Sequence, residues 1–358
     1  MDTRKRLDAL RGILAKGRID AMLVSGVHNV RYLSGFTGDD SLALVGPDRC
    51  WLITDFRYVE QAEQECPGWA IVERKKDLWS AVGRLVGKRF ANVGFESQNL
   101  TFRNHKLLRS AVKKARLVPL YGKVENLREF KDADEVSAIE ASIRTQEQAF
   151  QELKKWVRPG MTEHRIAREL EYRMGCDGAD KPAFDTIVAA GPRGSLPHAH
   201  ASERVVSKGD ALLIDWGARR FFYNSDLTRV LHFGRVSAKF ERIYRIVKDA
   251  QSQALATVRP GVQFGEVDAA ARDHISSKGF GVRFGHSLGH GVGLEVHELP
   301  QVRKRNEERL QPGMVFTIEP GIYIPGWGGV RIEDMVLVTQ TGVRVLSSCE
   351  SDLGRMIL

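Results

Sequence analysis

A chain of 358 residues with 42% hydrophobic side chains is long enough for one large domain or two ordinary ones with packed cores. Basic groups outnumber acidic ones by 54 to 45, and residues 1–130 hold 23 against 15; the charges are scattered and no nucleic-acid motif accompanies them, so they read as a solvated face and nucleic acid is not expected as a partner. Cys50, Cys66, Cys176 and Cys349 lack C-x-x-C spacing, the charged start Met1–Arg6 leads into no apolar signal core, and no apolar run approaches the roughly 20 residues of a membrane span; this excludes a disulfide scaffold and a membrane protein and predicts a cytoplasmic one.

Leu7, Leu10, Ile13 and Leu14 recur at helical spacing. Ala21–Ser25 (AMLVS) has the continuous apolar character of a buried strand. Ser41–Val45 and Cys50–Thr54 flank Gly46-Pro47-Asp48-Arg49, a hairpin pattern. Further strands are predicted at Ala70–Glu73, Ala91–Glu96 and Leu117–Tyr121, with helices over 77–87 and 102–115. Residues 1–127 therefore read as an α/β domain with a mixed sheet. A second domain, 128–358, opens with a long helix over about 133–156.

That second domain repeats itself. Val157-Arg158-Pro159-Gly160 recurs 101 positions later as Val258-Arg259-Pro260-Gly261, each copy lying between helical segments. Strand-like runs follow both copies: 211–218 and 221–233 after the first, 315–324 and 329–339 after the second. The first pair carries Asp215 and Asp226, the second Glu319 and Glu333. A duplicated half-domain places one acid pair from each half about a pseudo-twofold axis.

Asp215 lies inside an apolar strand, where a carboxylate must be paired, protonated or metal-bound. Asp226 follows 11 residues on, close enough for a short turn to bring both acids to one spot. His290 is framed by glycines (Gly289, Gly291, Gly293) and stands four residues after His286 and seven before His297. Glu319 precedes Pro320, where strand pairing must stop. Alternation puts Arg331 and Glu333 on one face of a strand and Asp334 on the other. Arg229 offers Asp226 an ordinary ion pair, and Arg331 offers Glu333 another. If Asp215, Asp226, His290, Glu319 and Glu333 converge instead, four carboxylates and an imidazole call for two divalent cations. Oxygen and imidazole donors without thiolate suit Mn²⁺, with Co²⁺, Zn²⁺ or Fe²⁺ able to substitute.

These motifs resemble those of the pita-bread metallopeptidases: aminopeptidase P, prolidase and methionine aminopeptidase. The intervals of 11, 64, 29 and 14 between the five residues are similar to those of short prolidases and aminopeptidases P. Leu196-Pro197-His198, GHGVGLEVHE (289–298) and GMVFTIEPGIY (313–323) resemble family motifs in the same order. The likeness spans the chain, because Asn29–Phe36 (NVRYLSGF) resembles the creatinase-type N-terminal domain of the Xaa-Pro peptidase branch. Methionine aminopeptidases lack that domain, and creatinase lacks the metal ligands.

The resemblance implies an N-terminal α/β domain and an α+β pita-bread catalytic domain. It implies two metal ions per chain: Asp215 chelating one, His290 and Glu319 the other, Asp226 and Glu333 bridging. It implies cleavage of the bond before proline in proline-containing peptides by a hydroxide held between the ions. Glu319 is similar to the family's proton shuttle, His198 and His297 to residues that steady substrate and tetrahedral intermediate, and His286 to a substrate-pocket position. Arg331 is expected to orient a bridging carboxylate. A homodimer is implied as well. Many prolidases carry arginine directly after the His-Glu-x-Pro stretch to hold a dipeptide's carboxylate; here Gln301 follows Pro300, with Arg303 two positions on. That departure points to aminopeptidase P, with prolidase as the alternative. A non-catalytic pita-bread binding protein and a hydrolase of non-peptide amides are the remaining readings.

Overall fold

Asp2 accepts a hydrogen bond from the Lys5 amide and caps the helix Thr3–Lys16 in the computed structural model, which describes residues 2–358. Leu7, Leu10 and Leu14 are buried along one face of this helix. The chain divides into two compact units, one ending at Arg128 and the other running from Glu129 to Leu358.

The first unit is built on a six-stranded mixed sheet. Its strands run in the order Ala70–Glu73, Cys50–Thr54, Leu42–Val45, Ala21–Val24, Asn92–Glu96, Arg116–Leu120. The 42–45, 50–54 and 21–24 pairings are antiparallel and the outer ones parallel. The helices Leu78–Val86 and Phe102–Ala111 send Val82, Val86 and Leu108 into the core against it. One helix, Val27–Ser34, has no sequence signal at its start. The segment leading into it is held from a distant strand: the buried Glu96 carboxylate accepts from Ser25 N (2.6 Å) and Gly26 N (2.7 Å) just before the helix, and from the side-chain Asn29 Nδ2 (2.6 Å) in its first turn.

The second unit shows its duplication in detail. Ala133–Trp156 is followed by Glu163–Cys176, and Ala238–Thr257 by Phe264–Ser277. At both junctions the glycine of Val-Arg-Pro-Gly adopts positive φ, 95° at Gly160 and 86° at Gly261. Both junctions then tie to a later segment in the same way. Gly160 N donates to Val206 O and Val206 N to Met161 O; Gly261 N donates to Leu310 O and Leu310 N to Val262 O. Strands follow each copy, and a shared core lies between them and the helices, with Phe150 stacked on Trp216 at 4.5 Å between centroids.

Besides 211–218, which divides at Gly217, three predicted strands are shorter than their apolar patterns. The 221–233 run divides into Tyr223–Asn224 and Leu227–His232, 315–324 into Val315–Ile318 and Gly321–Ile324, and 329–339 into Gly328–Arg331 and Asp334–Val338. Each break falls at or beside a proposed ligand: Asp226, Glu319, Glu333.

Behind these breaks sits Arg229, fully buried. It bonds Asp334 at 2.7 Å and donates to the carbonyls of Glu333, Cys349 and Glu350. Replacing it by methionine strands the Asp334 carboxylate and these carbonyls. We expect Arg229→Met to cost about 3–5 kcal/mol of stability, measured by urea unfolding. A loss below about 1 kcal/mol, the level of an exposed pair, would contradict this role.

Candidate metal centre

Strand register brings the acids together. Ala211–Trp216 pairs antiparallel with Leu227–His232, setting Thr228 opposite Asp215, and Asp226 directly precedes the second strand. In the other half, Gly289–Gly291 runs between Glu298–Val302 and Val315–Ile318. A Cβ on Gly289 would lie 1.9 Å from the Thr317 carbonyl oxygen, and one on Gly291 would lie 2.1 Å from that of Leu299. Glycine on both sides is what lets these strands close on His290. Glu319, at the break made by Pro320, donates its N–H to Leu288 O at 2.9 Å and accepts from Thr317 Oγ1 at 3.2 Å.

All five predicted ligands line one cavity of about 410 Å³. Asp226, His290 and Glu333 each offer a ligand atom within 4.8 Å of the other two. His290 Nε2 lies 3.4 Å from Glu319 Oε1 and 3.6 Å from Asp226 Oδ2. Asp215 bonds Arg331 through Oδ2, while its Oδ1 is buried with no hydrogen-bond partner. The competing ion pairs do not form as the sequence allowed: Arg229 bonds Asp334 instead of Asp226, and Arg331 bonds Asp215 instead of Glu333.

Burial, with the neighbouring Glu333, Asp215 and Glu319 carboxylates behind it, raises Asp226 well above the usual carboxylate range. Burial and then Glu319 and Asp215 raise Glu333 likewise, and burial pushes Glu319 up to about 8. Acids packed this way need protons or cations. His290 is shaped for a cation: Nδ1 faces the Gly291 carbonyl at 3.1 Å and must carry the proton, which leaves the Nε2 lone pair toward the acids. Burial lowers its pKa and keeps the ring neutral. The orphaned Asp215 oxygen, the raised acids and this oriented imidazole fit divalent cations.

A supporting network surrounds the donors. The Thr228 hydroxyl accepts from Arg331 Nε at 2.9 Å, so its own proton goes to Glu333 Oε2 at 2.6 Å. Arg331 thus holds Asp215 directly and the proposed bridging carboxylate of Glu333 through Thr228. Arg331 Nη1 also donates to Tyr323 Oη at 2.9 Å, and Tyr323 Oη lies 2.9 Å from His286 Nε2. His286 Nδ1 faces the Ser287 carbonyl at 2.7 Å, so it is the donor there and Nε2 accepts from Tyr323. Burial lowers His286 to about 4, consistent with a neutral ring. Both its nitrogens are occupied, which makes it a prop for Tyr323 in this structure. Lys131 and Glu298, both buried, pair at 2.8 Å beside His297. Sequence reasoning missed Thr228, Thr317, Tyr323 and Lys131; the first three sit within motifs that were legible, two or four residues from a ligand.

His198 and His297 line the cavity, and the His297 ring lies 4.2 Å from that of His290. His200, without a role in the sequence reading, is in the wall too. Gln301 is exposed and outside the lining; its carbonyl accepts from Asn306 Nδ2.

No helix among the described residues is long and apolar enough to cross a membrane. Residues 137–340 match the model of metallopeptidase family M24, and residues 6–130 match the creatinase/prolidase N-terminal domain. The chain is 37% identical to the Xaa-Pro dipeptidase of Pyrococcus horikoshii over 94% of its own length and 95% of that protein's. It is 41% identical to an uncharacterized peptidase of Bacillus subtilis, over 97% and 99%. Among solved structures it is similar to an Xaa-Pro dipeptidase from Bacillus anthracis (TM-score 0.97, 39% identity, all of both chains). It is also similar to an X-Pro aminopeptidase from Thermotoga maritima (0.90, 38%, 95% and 98%). The convergence of the five donors and the match along both units lead to one conclusion: the protein belongs to metallopeptidase family M24.

Proposed function

We propose that this protein is a divalent-metal-dependent Xaa-Pro dipeptidase. The observation behind this reading is the convergence of Asp215, Asp226, His290, Glu319 and Glu333 on one cavity, in a chain with relatives named Xaa-Pro dipeptidases. These donors would hold two divalent ions, which would supply Lewis acidity toward a carbonyl and a water near neutral pH. The remaining work falls to side chains. Glu319 takes a proton from the attacking water and delivers it to the proline nitrogen, which leaves as a secondary amine. His198 and His297 offer N–H donors to the substrate carbonyl oxygen as negative charge develops there. Arg331, with Thr228 and Tyr323, holds Asp215 and Glu333 in place. A bond to proline suits such a site, because proline has no N–H to offer an enzyme that reads the backbone as a strand. Manganese as the resident ion and a homodimeric assembly belong to this reading; metal analysis and sedimentation mass check them.

The expectation of an aminopeptidase rested on Gln301, where many prolidases have arginine. Gln301 lies outside the cavity wall, and the named relatives favour the dipeptidase. Likeness to the Thermotoga aminopeptidase keeps longer peptides as the second reading. Under Mn²⁺, we expect kcat/KM to be higher for an Xaa-Pro dipeptide than for the matching Xaa-Pro-Xaa tripeptide. The reverse order restores the aminopeptidase.

A further inference from the structure

Besides the metal-site acids, one more carboxylate lines the cavity among the described residues: Asp185. No hydrogen bond or ion pair among those residues engages it, and it is exposed. Its place follows from the strand that leads to the centre. In Ile187–Ala190, Ile187 stands opposite Asp215 in the antiparallel pairing and lines the same cavity. Asp185 lies two residues earlier, while Thr186 between them is buried outside the wall. Asp185 and Thr186 precede the strand as irregular chain, and two residues reach at most roughly 6–7 Å, comparable to the length of a lysine side chain. Phe184, Ile187 and Val296 add apolar surface to the same cavity wall. A carboxylate in a partly apolar wall suits a long aliphatic side chain with a cationic tip, whose methylenes pack while its charge meets the carboxylate.

We infer that Asp185 is a specificity-determining residue that selects a cationic side chain, lysine or arginine, on the residue before proline. The inference rests on the proposed Xaa-Pro cleavage and names its substrate class. Asp185 touches no reacting atom in this scheme. It reads the side chain through a partly solvated ion pair, so the preference is modest and salt-sensitive, roughly three- to fivefold at low ionic strength.

The test is the ratio of kcat/KM for Lys-Pro to that for norleucyl-Pro, which has a similar chain without the charge, using the Mn²⁺-loaded protein. In the wild type the ratio exceeds one and falls as salt is added. Asp185→Asn lowers it by roughly three- to fivefold, Asp185→Glu keeps it, and Asp185→Lys inverts it, with Glu-Pro then preferred. Dissociation constants of the products lysine and norleucine, read by calorimetry on the loaded protein without turnover, shift in the same ratio. A ratio unmoved in Asp185→Asn overturns the inference; this includes equal losses on both substrates, which would place the carboxylate on the shared α-ammonium or in the wall alone. Failure of the proposed function looks different: the loaded wild type would cleave neither dipeptide.

Discussion

Stripping divalent ions with excess chelator should abolish Xaa-Pro hydrolysis, and returning Mn²⁺ should restore it. Activity unchanged in chelator would remove the mechanism. The same centre sets a pH dependence of stability, and its sign can be worked out. Burial raises Glu319 from its ordinary 4.5 to about 8, and Asp226 and Glu333 are raised too. Between those values the folded, metal-free protein binds more protons than the unfolded chain, so stability falls as pH rises. His286 and His297, each lowered to about 4, act oppositely but only up to about 6.5, where the unfolded imidazoles lose their protons. From pH 7 to 8.5 the carboxylates therefore dominate. Calorimetry of metal-free protein should show a falling Tm across this window, and the Tm gain from added Mn²⁺ should be larger at pH 8.5. A metal-free Tm that rises from pH 7 to 8.5 would mean these acids are not packed as described.

Glu319→Gln is expected to lower kcat by about 10²–10⁴-fold, the range for loss of a positioned proton carrier. The amide keeps the size of the side chain and can still accept from Thr317 Oγ1, so the fold should hold, with a metal-free Tm no lower than the wild type's. His200→Ala, a change in the same wall outside the proton path, should cost far less. Equal losses in the two variants would show that the assignment of the proton path is wrong. Because Glu319 is also a proposed metal ligand, metal content must be measured beside kcat. A variant that retains both ions and still loses activity isolates the proton role.

Much of this site is legible in the amino-acid sequence, for local reasons. An aspartate within an apolar strand (Asp215), a histidine between glycines (His290) and a glutamate before proline (Glu319) each break the pattern around them. Short-range physics marks such breaks as costly, and costly features gather where function needs them. The Val-Arg-Pro-Gly repeat carries the duplication in the same way, since a helix must end there and a glycine must take positive φ.

Other features depend on residues far apart in the chain. The entry to the helix Val27–Ser34 is held by Glu96, about 70 positions away, which accepts from the Ser25 and Gly26 amides, and no local residue announces that. Alternation placed Arg331 beside Glu333, yet the strand ends at Arg331 and its guanidinium turns to Asp215, 116 positions earlier. Thr228 and Tyr323 look like ordinary strand residues until the fold sets them between Arg331, Glu333 and His286. Gln301 went the other way: in sequence it adjoins the His297 motif, but the strand exposes it outside the cavity.

By itself, then, the sequence determined the two-domain layout and marked the duplication and five candidate donors, because helix ends, strand breaks and buried charge are governed by near neighbours. Only the tertiary structure decided which arginine holds which acid, which histidine has both ring nitrogens engaged and which further carboxylate lines the cavity. Those choices are made by strand register and by which buried charges lie within hydrogen-bond reach, and the ion pairs Arg229–Asp334 and Arg331–Asp215 join residues that the chain keeps more than a hundred positions apart.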